Sequence, residues 1–167
     1  MSEKYNVGGT NTAGSIKDLG FPDTDRIRVG QQTGFLGVTK PITVMIPGTS
    51  AATAANYTAP FFIAERSYEV LWCMERHETL GSAGGSVTVM LKKVPSGTAP
   101  ASGIDVLTAG LNLKATANTN QEGTISQART SSIYNRRLST GDSLALVTTG
   151  TLTSVAGVTV SVLLRSL

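Results

Sequence analysis

From about residue 40 to the last residue, the sequence is a succession of short apolar runs separated by Gly, Pro and Ser. The run ITVMI at 42–46 places every second side chain on one face of an extended strand, and SVTVMLKKV at 86–94 repeats this pattern. A helix would repeat its apolar side chains about every 3.6 residues, and no convincing run of that kind interrupts the series. The sequence therefore predicts an all-β protein.

The pattern predicts about eight strands. Because no helices alternate with them, we expect antiparallel pairing rather than a parallel sheet. Eight antiparallel strands in two facing sheets describe a jelly-roll-like β-sandwich, which periodicity alone does not separate from an immunoglobulin-like sandwich. Strong candidates lie at 42–46, 61–64, 67–78, 86–94, 142–149 and 157–164, and weaker candidates lie at 105–107, 111–115, 123–128 and 131–138.

The composition agrees with this fold class. Only 15% of the residues are charged, which is below the roughly 25% typical of soluble domains. Gly, Thr and Ser are abundant instead. Thr packs well on a pleated sheet, and Gly and Ser suit the turns between strands, so the surface is expected to be covered largely by hydroxyl groups.

The sequence also predicts where some of these strands lie and how they pair. No charged residue occurs from Ser143 through Leu164, so the two strands in this stretch are expected to lie deep or to face another subunit. The short glycine-rich link at 79–85 predicts that 67–78 and 86–94 form a hairpin. Within 86–94, the alternation predicts that Val87, Val89 and Leu91 point inward.

The strand at 67–78 is predicted to place Tyr68, Val70, Trp72 and Met74 on one face. Cys73 would then lie on the opposite face as a small buried hydrophobe. As the only cysteine it cannot form an internal disulfide. The sequence also has no secretory signal pattern and no apolar run long enough to span a membrane, so a soluble product made in a cytoplasm is expected.

The net charge of +3 and the pI of about 9.2 raise the question of nucleic-acid binding. The only basic pairs are Lys92-Lys93 and Arg136-Arg137, and few aromatic residues accompany them. A binder of single-stranded nucleic acid needs aromatic side chains for base stacking. These pairs are therefore interpreted as solvated strand ends that discourage edge pairing, and no nucleic-acid partner is predicted.

The densest polar group in the sequence surrounds the only histidine. Glu75 and His77 share one face of a strand, while Arg76 and Glu78 share the other. A carboxylate beside an imidazole can act as a general base, but no nucleophile motif such as GxSxG accompanies the pair. The group is interpreted as a charged hairpin end, and no catalytic residue is predicted.

Cofactor and metal sites are not predicted either. One His and one Cys cannot build a common zinc site, and the acidic residues are too scattered for a calcium loop. The stretch GSAGGS at 81–86 opens into a strand, whereas phosphate-binding glycine loops open into a helix. Asp142 follows Gly141 and precedes a strand, where its carboxylate is expected to accept hydrogen bonds from backbone amides of a turn.

Three longer stretches resemble a known group of proteins. They are HETLGSAGGSVTVMLKKVPSGTAPASGIDVL, LKATANT and RRLSTGDSLALVTTGTLTSVAGVTVSVLL. Together they cover about residues 60–165 and are similar to small jelly-roll virion proteins of tailed bacteriophages, especially capsid decoration or cement proteins. The resemblance implies a homotrimer on the outside of an icosahedral head that clamps neighbouring major capsid proteins without enzymatic activity.

Residues 1–40 lie outside this resemblance. Gly, Thr, Asn and Asp dominate them, and their isolated apolar residues keep no strand or helix period, so the segment cannot easily form a core. We expect an extended N-terminal attachment arm at 1–40 and a β-sandwich domain at 41–167. The predicted capsid-binding anchors of the arm are Tyr5, Ile16, Leu19, Phe21, Phe35 and Leu36.

An alternative stays open at this point. Jelly rolls also occur in lectins. In this alternative, the chain is a receptor-binding or glycan-binding module of a tail or fibre. A host-surface glycan would then be its partner, with Tyr57 and Tyr134 as the aromatic residues that stack on sugars. The low aromatic content of 5% speaks against this alternative.

Overall fold

A computed structural model describes residues 39–46, 57–130 and 133–167 of the chain. In these ranges the protein is all-β, apart from a short 3-10 helix at Pro100–Ser102, and two five-stranded antiparallel sheets form a jelly-roll-like sandwich. This confirms the predicted fold class. The strands are β1 Thr39–Ile46, β2 Ala59–Ile63, β3 Tyr68–Arg76, β4 Thr88–Val94, β5 Ile104–Asp105, β6 Leu111–Asn112, β7 Gln121–Glu122, β8 Arg129–Thr130, β9 Ile133–Tyr134, β10 Arg137–Leu138, β11 Ser143–Thr149 and β12 Val158–Ser166.

The two charge-free strands lie at the centres of the two sheets. The first sheet has the order β1-β12-β3-β10, with β7 also paired to β3. The second has the order β2-β11-β4-β5, with β6 also paired to β4. β12 and β11 each pair on both sides and bury core side chains such as Leu144, Leu146, Val158 and Val160, so the prediction that the charge-free stretch lies deep is confirmed. Arg165, near the end of β12, lies beyond that stretch.

The core lies between the sheets and consists of alternate apolar side chains. Val87, Val89 and Leu91 point inward as predicted and are 0 to 1% exposed. Val160 and Leu164 of β12 are fully buried on the other side of the core. Each such side chain contributes about 1.5 to 3 kcal/mol relative to exposure.

A β-bulge in β3 changes which residues face this core. The register between β12 and β3 shifts between Leu163 and Leu164, which pair with Trp72 and Val70. Leu71 is therefore an extra residue on β3. An inserted residue reverses the side-chain alternation beyond it.

The bulge overturns the predicted face of β3. Tyr68 and Val70 are buried in the core, but Trp72 and Met74 are half-buried and lie on the outer face, the face of the first sheet directed away from the core. Cys73 is fully buried on the core side. Its predicted position opposite Trp72 is confirmed. Strict alternation could not predict the rest, because nothing in the local sequence marks the bulge.

The predicted hairpin between 67–78 and 86–94 is wrong. β3 belongs to the first sheet and β4 to the second, so the glycine-rich link crosses between the sheets. Within the link, the amide of Gly81 donates a hydrogen bond to the carbonyl of Leu113 (2.9 Å), and Gly85 has a positive φ of 78°. β3 pairs instead with β12, and β4 pairs with β11.

In the described part of the chain, one edge of each sheet is formed by a strand that carries a proline. β1 pairs only with β12, and β2 pairs only with β11. Each carries a proline, Pro41 and Pro60 respectively, which has no amide hydrogen to offer a further strand. Among the described residues, no helix is long and apolar enough to cross a membrane.

Candidate interaction surface

Three arginines contact one buried carboxylate at one end of the first sheet, and a fourth lies beside them on the ring of Tyr134. Glu69 of β3 is 2% exposed. Its Oε1 accepts a hydrogen bond from Nε of Arg136 (2.8 Å) and lies 3.6 Å from Nε of Arg137, while its Oε2 accepts one from Arg165 of β12. We call Arg129, Arg136, Arg137 and Arg165, together with Glu69 and Tyr134, the arginine cluster.

Strand register brings these residues together. Glu69 pairs with Arg165 on one side and with Arg137 of β10 on the other. Side chains directly opposite each other in antiparallel strands share a face, so these three point the same way. Glu69 alternates with core residues Tyr68 and Val70, which means that the three lie on the outer face.

The short hairpin of β8 and β9 adds the remaining members. Three guanidinium groups lie near the ring of Tyr134, with Cζ of Arg129, Arg136 and Arg137 at 4.0, 4.8 and 5.5 Å from its centroid. Arg129 also donates a hydrogen bond to the Tyr134 hydroxyl. This contact lowers the pKa of Tyr134, because a nearby positive charge favours the phenolate.

The cluster carries an excess of positive charge. Burial raises the pKa of Glu69, but hydrogen bonds from Arg136 and Arg165 outweigh burial, and the pKa of this carboxyl lies below its usual value. Glu69 is therefore ionised at neutral pH. The cluster thus contains four guanidinium groups and one carboxylate, of which Arg136, Arg137 and Arg165 contact Glu69 and Arg129 contacts Tyr134.

A surface cavity of about 200 Å³ opens beside Glu69. Arg136 and Arg165 line it together with apolar side chains of Leu71 and Ile125. Arg136 donates a further hydrogen bond to Gln127 at its rim. The Nε of Arg165 is buried and has no hydrogen-bond partner among the described residues.

This cluster was not predicted from the sequence. The predicted solvated strand end at Arg136-Arg137 is wrong, because Arg136 forms an ion pair with a buried carboxylate. The signal present in the sequence is the density of Arg129, Arg136 and Arg137 around Tyr134. Glu69 could not be linked to them, because it is 67 residues from Arg136 in the chain.

Lys92 and Lys93, the other basic pair, also take part in the packing of the folded domain. Nζ of Lys92 contacts Oδ1 of Asp105 (2.8 Å) and donates to the carbonyl of Gly103 (3.2 Å). Lys93 is only 6% exposed, and burial lowers its pKa while the charge of Asp142 opposes that effect. The interpretation of this pair as a solvated strand end is therefore wrong.

Glu75 and His77 share a face, as predicted, but this face is the core. Both side chains are fully buried, with Nδ1 of His77 2.8 Å from Oε1 of Glu75. Nε2 of His77 lies 3.1 Å from the carbonyl oxygen of Ala115, and Gln121 donates to Oε2 of Glu75 (2.7 Å). Burial raises the pKa of Glu75.

This network is a structural connection rather than a charged hairpin end. Both ring nitrogens of His77 face oxygens, so the ring bridges Glu75 and the carbonyl of Ala115. Ala115 lies on the segment between β6 and β7 and Gln121 is the first residue of β7, so the network joins both to the end of β3. With both side chains fully buried, neither is positioned to meet a substrate from solvent.

Asp142 occupies the predicted turn. Its Oδ2 accepts a hydrogen bond from the amide of Ser139 (2.8 Å), and its own amide donates to the carbonyl of Ser139 (3.0 Å). Gly141 has a φ of 88°, which a turn of this kind requires. The structural prediction for Asp142 is confirmed.

The remaining predicted site residues fall in different places. Tyr57 is half-buried and packs against the core, while the ring of Tyr134 already packs against guanidinium groups. No group of three or more His, Cys, Asp or Glu side chains able to hold a metal occurs in the described ranges. The six arm anchors lie outside the described residues: Tyr5, Ile16, Leu19, Phe21, Phe35 and Leu36.

No protein-family model matches the sequence, and no curated protein matches it either. Among solved structures, a chain of the cyanophage Pam1 capsid asymmetric unit aligns over 80% of this chain and 89% of that chain, with 16% identity and a TM-score of 0.51. A chain of the capsid of Ralstonia phage GP4 aligns over 79% and 85%, with 17% identity and a TM-score of 0.45. The Pam1 alignment shows a shared fold.

Proposed function

We propose that this protein is a non-enzymatic structural protein of a phage virion. The observation that carries the proposal is the fold shared with a chain of the cyanophage Pam1 capsid, which extends over 80% of this chain. The contacts of the described polar groups support it as well. The fully buried Glu75 and His77 hold the end of β3 to its neighbouring segments, and the carboxylate of Asp142 holds a turn.

Within the virion, the proposed role is that of a decoration or cement protein. It would bind the outer surface of an icosahedral capsid and stabilise it by bridging neighbouring major capsid proteins. A homotrimer with three arms suits this role, because several weak attachments made at once give a high combined affinity. The low charge of 15% also favours contacts between subunits, where charged groups are costly to desolvate.

The N-terminal segment is the proposed attachment element. Its apolar residues are sparse, so they would gain most by packing on a neighbour rather than on each other. The six anchors proposed for this contact are Tyr5, Ile16, Leu19, Phe21, Phe35 and Leu36.

The test is co-sedimentation of the purified protein with capsids that lack it, after its mass in solution has been measured. We expect a trimer that pellets with capsids at saturable occupancy and raises their melting temperature, because it binds the assembled state preferentially. A protein that stays in the supernatant at every concentration would contradict the capsid role.

A deletion of residues 2–36 tests the arm. We expect the shortened protein to remain a folded trimer and to lose capsid attachment. The matched comparison is a full-length variant in which Tyr5, Phe21 and Phe35 are changed to Ser, which keeps the length but removes apolar anchors. Undiminished occupancy of the deletion variant would refute the arm assignment.

A further inference from the structure

The arginine cluster has more positive charge than its internal partner can neutralise. Arg129 and Arg136 both approach the ring of Tyr134, with their Cζ atoms 4.0 and 4.8 Å from its centroid. Their like charges repel each other at such short range. A further anion would relieve this repulsion, so the cluster as it stands favours an anionic ligand.

Free donors remain in the cluster to receive such an anion. Arg137 is 44% exposed in its side chain; its guanidinium lies over the ring of Tyr134, and its 3.6 Å contact to Glu69 is too long for a good hydrogen bond. Arg165 is 34% exposed in its side chain and has a buried Nε without a partner. A guanidinium offers five N–H donors in a planar fork that matches a carboxylate.

Glu69 shows which anion suits this arrangement. Its two carboxylate oxygens are each held by a different guanidinium, from Arg136 and Arg165. A second carboxylate would meet the same kind of planar donor at Arg137 and Arg129.

The surroundings of the cluster favour a polypeptide over a bare anion. Leu71 is 39% exposed and lines the cavity beside Glu69, and Ile133, next to Tyr134, is 47% exposed. Apolar side chains beside guanidinium groups suit a segment that combines acidic with apolar residues. A nucleic-acid strand would need an aromatic face for stacking, and the ring of Tyr134 already packs against Arg129.

We propose that the arginine cluster is a binding site for an acidic segment of a partner polypeptide, recognised through its carboxylates. The site is distinct from the N-terminal arm and does not depend on the virion role. On a capsid, the arginine cluster would let the sandwich domain bind a partner polypeptide in addition to the contacts proposed for the N-terminal arm.

The experiment measures fluorescence anisotropy of a labelled peptide rich in Glu and Leu as full-length protein is added. Arg137→Gln and Arg129→Gln remove the two most available guanidinium groups. We expect each to weaken binding by about tenfold, which is the loss of one charge-assisted hydrogen bond. Arg66→Gln is the matched control, because it removes the same charge from an exposed position outside the cluster, and we expect its affinity to stay within about twofold of the original.

Circular dichroism and the melting temperature verify that each variant is folded. The proposal is overturned if the peptide does not bind, or if Arg66→Gln weakens binding as much as the cluster variants do. It is also overturned if a single-stranded oligonucleotide binds more tightly at the same salt concentration, or if inorganic phosphate alone displaces the peptide at equal charge concentration. Capsid attachment is measured separately, so its failure and the failure of peptide binding are distinguishable.

Discussion

Gly150 follows β11 at a point where two backbone segments touch. Its φ is 85°, in the left-handed region that L side chains rarely adopt. A Cβ at this position would lie 2.1 Å from the carbonyl oxygen of Ser86, which precedes β4. The neighbour is backbone and cannot rotate away, so both the conformation and the space require glycine.

We therefore expect Gly150→Ala to lower the free energy of unfolding by at least about 2 kcal/mol, in a urea titration of the full chain. Gly84→Ala is the control, because a Cβ there would meet nothing within 4 Å and its φ is not positive. This control should change stability by less than about 0.5 kcal/mol. Equal urea midpoints for the two variants would show that the close approach of residue 150 to the Ser86 carbonyl does not affect the free energy of unfolding.

At the scale of the elements, the end of β3 depends on a buried polar network. His77 connects Glu75 to the carbonyl of Ala115, and Gln121 holds the second oxygen of Glu75. A buried polar group is tolerated only when its hydrogen bonds are made. The network therefore links the segment between β6 and β7 to the first sheet, and removing one member leaves the others unsatisfied.

His77→Ala is expected to lower the free energy of unfolding by about 3 kcal/mol or more, since it leaves Glu75 buried without its main partner. Amide exchange in residues 113–120 should accelerate as well, because the segment loses the side-chain contact between Ala115 and His77. Glu122→Ala, at an exposed position of β7, is the control and should cost less than about 0.5 kcal/mol. A loss at His77 no larger than that of the control would show that the network is not required for stability.

At the scale of the whole molecule, the arginine cluster joins distant parts of the chain. Glu69 of β3 contacts Arg165 near the end of the last strand and Arg136 just before β10. The pKa of Glu69 lies below its usual value of 4.5. A carboxyl with a lowered pKa in the folded state contributes stability above the unfolded value, and that contribution is lost as the pH falls through the folded value.

We expect the unfolding free energy to fall as the pH drops below about 4.5, by about 1.4 kcal/mol for each unit by which the pKa of Glu69 is lowered. Glu69→Gln should be less stable at pH 7 and should flatten this acid dependence, measured by denaturant titrations at fixed protein concentration. Glu122→Gln, an exposed carboxyl on β7, should leave the slope unchanged. An identical slope for Glu69→Gln and the original chain would contradict the assignment.

Much of the architecture was readable in the sequence. The alternation in 86–94 determined which side chains enter the core, and the absence of charge from Ser143 to Leu164 marked the central strands. The glycine and aspartate at 141 and 142 marked a turn. Each of these depends on periodicity or on local backbone chemistry, which neighbouring residues determine by themselves.

Only the tertiary structure decided the rest. The bulge at Leu71, the crossing of the glycine-rich link between sheets and the meeting of Glu69 with Arg165 all depend on which strands pair and in what register. Register is a property of two segments far apart in the chain, and a shift of one residue moves a side chain to the opposite face. The arginine cluster, which is the most distinctive surface of the described domain, therefore could not be predicted from any one stretch of sequence.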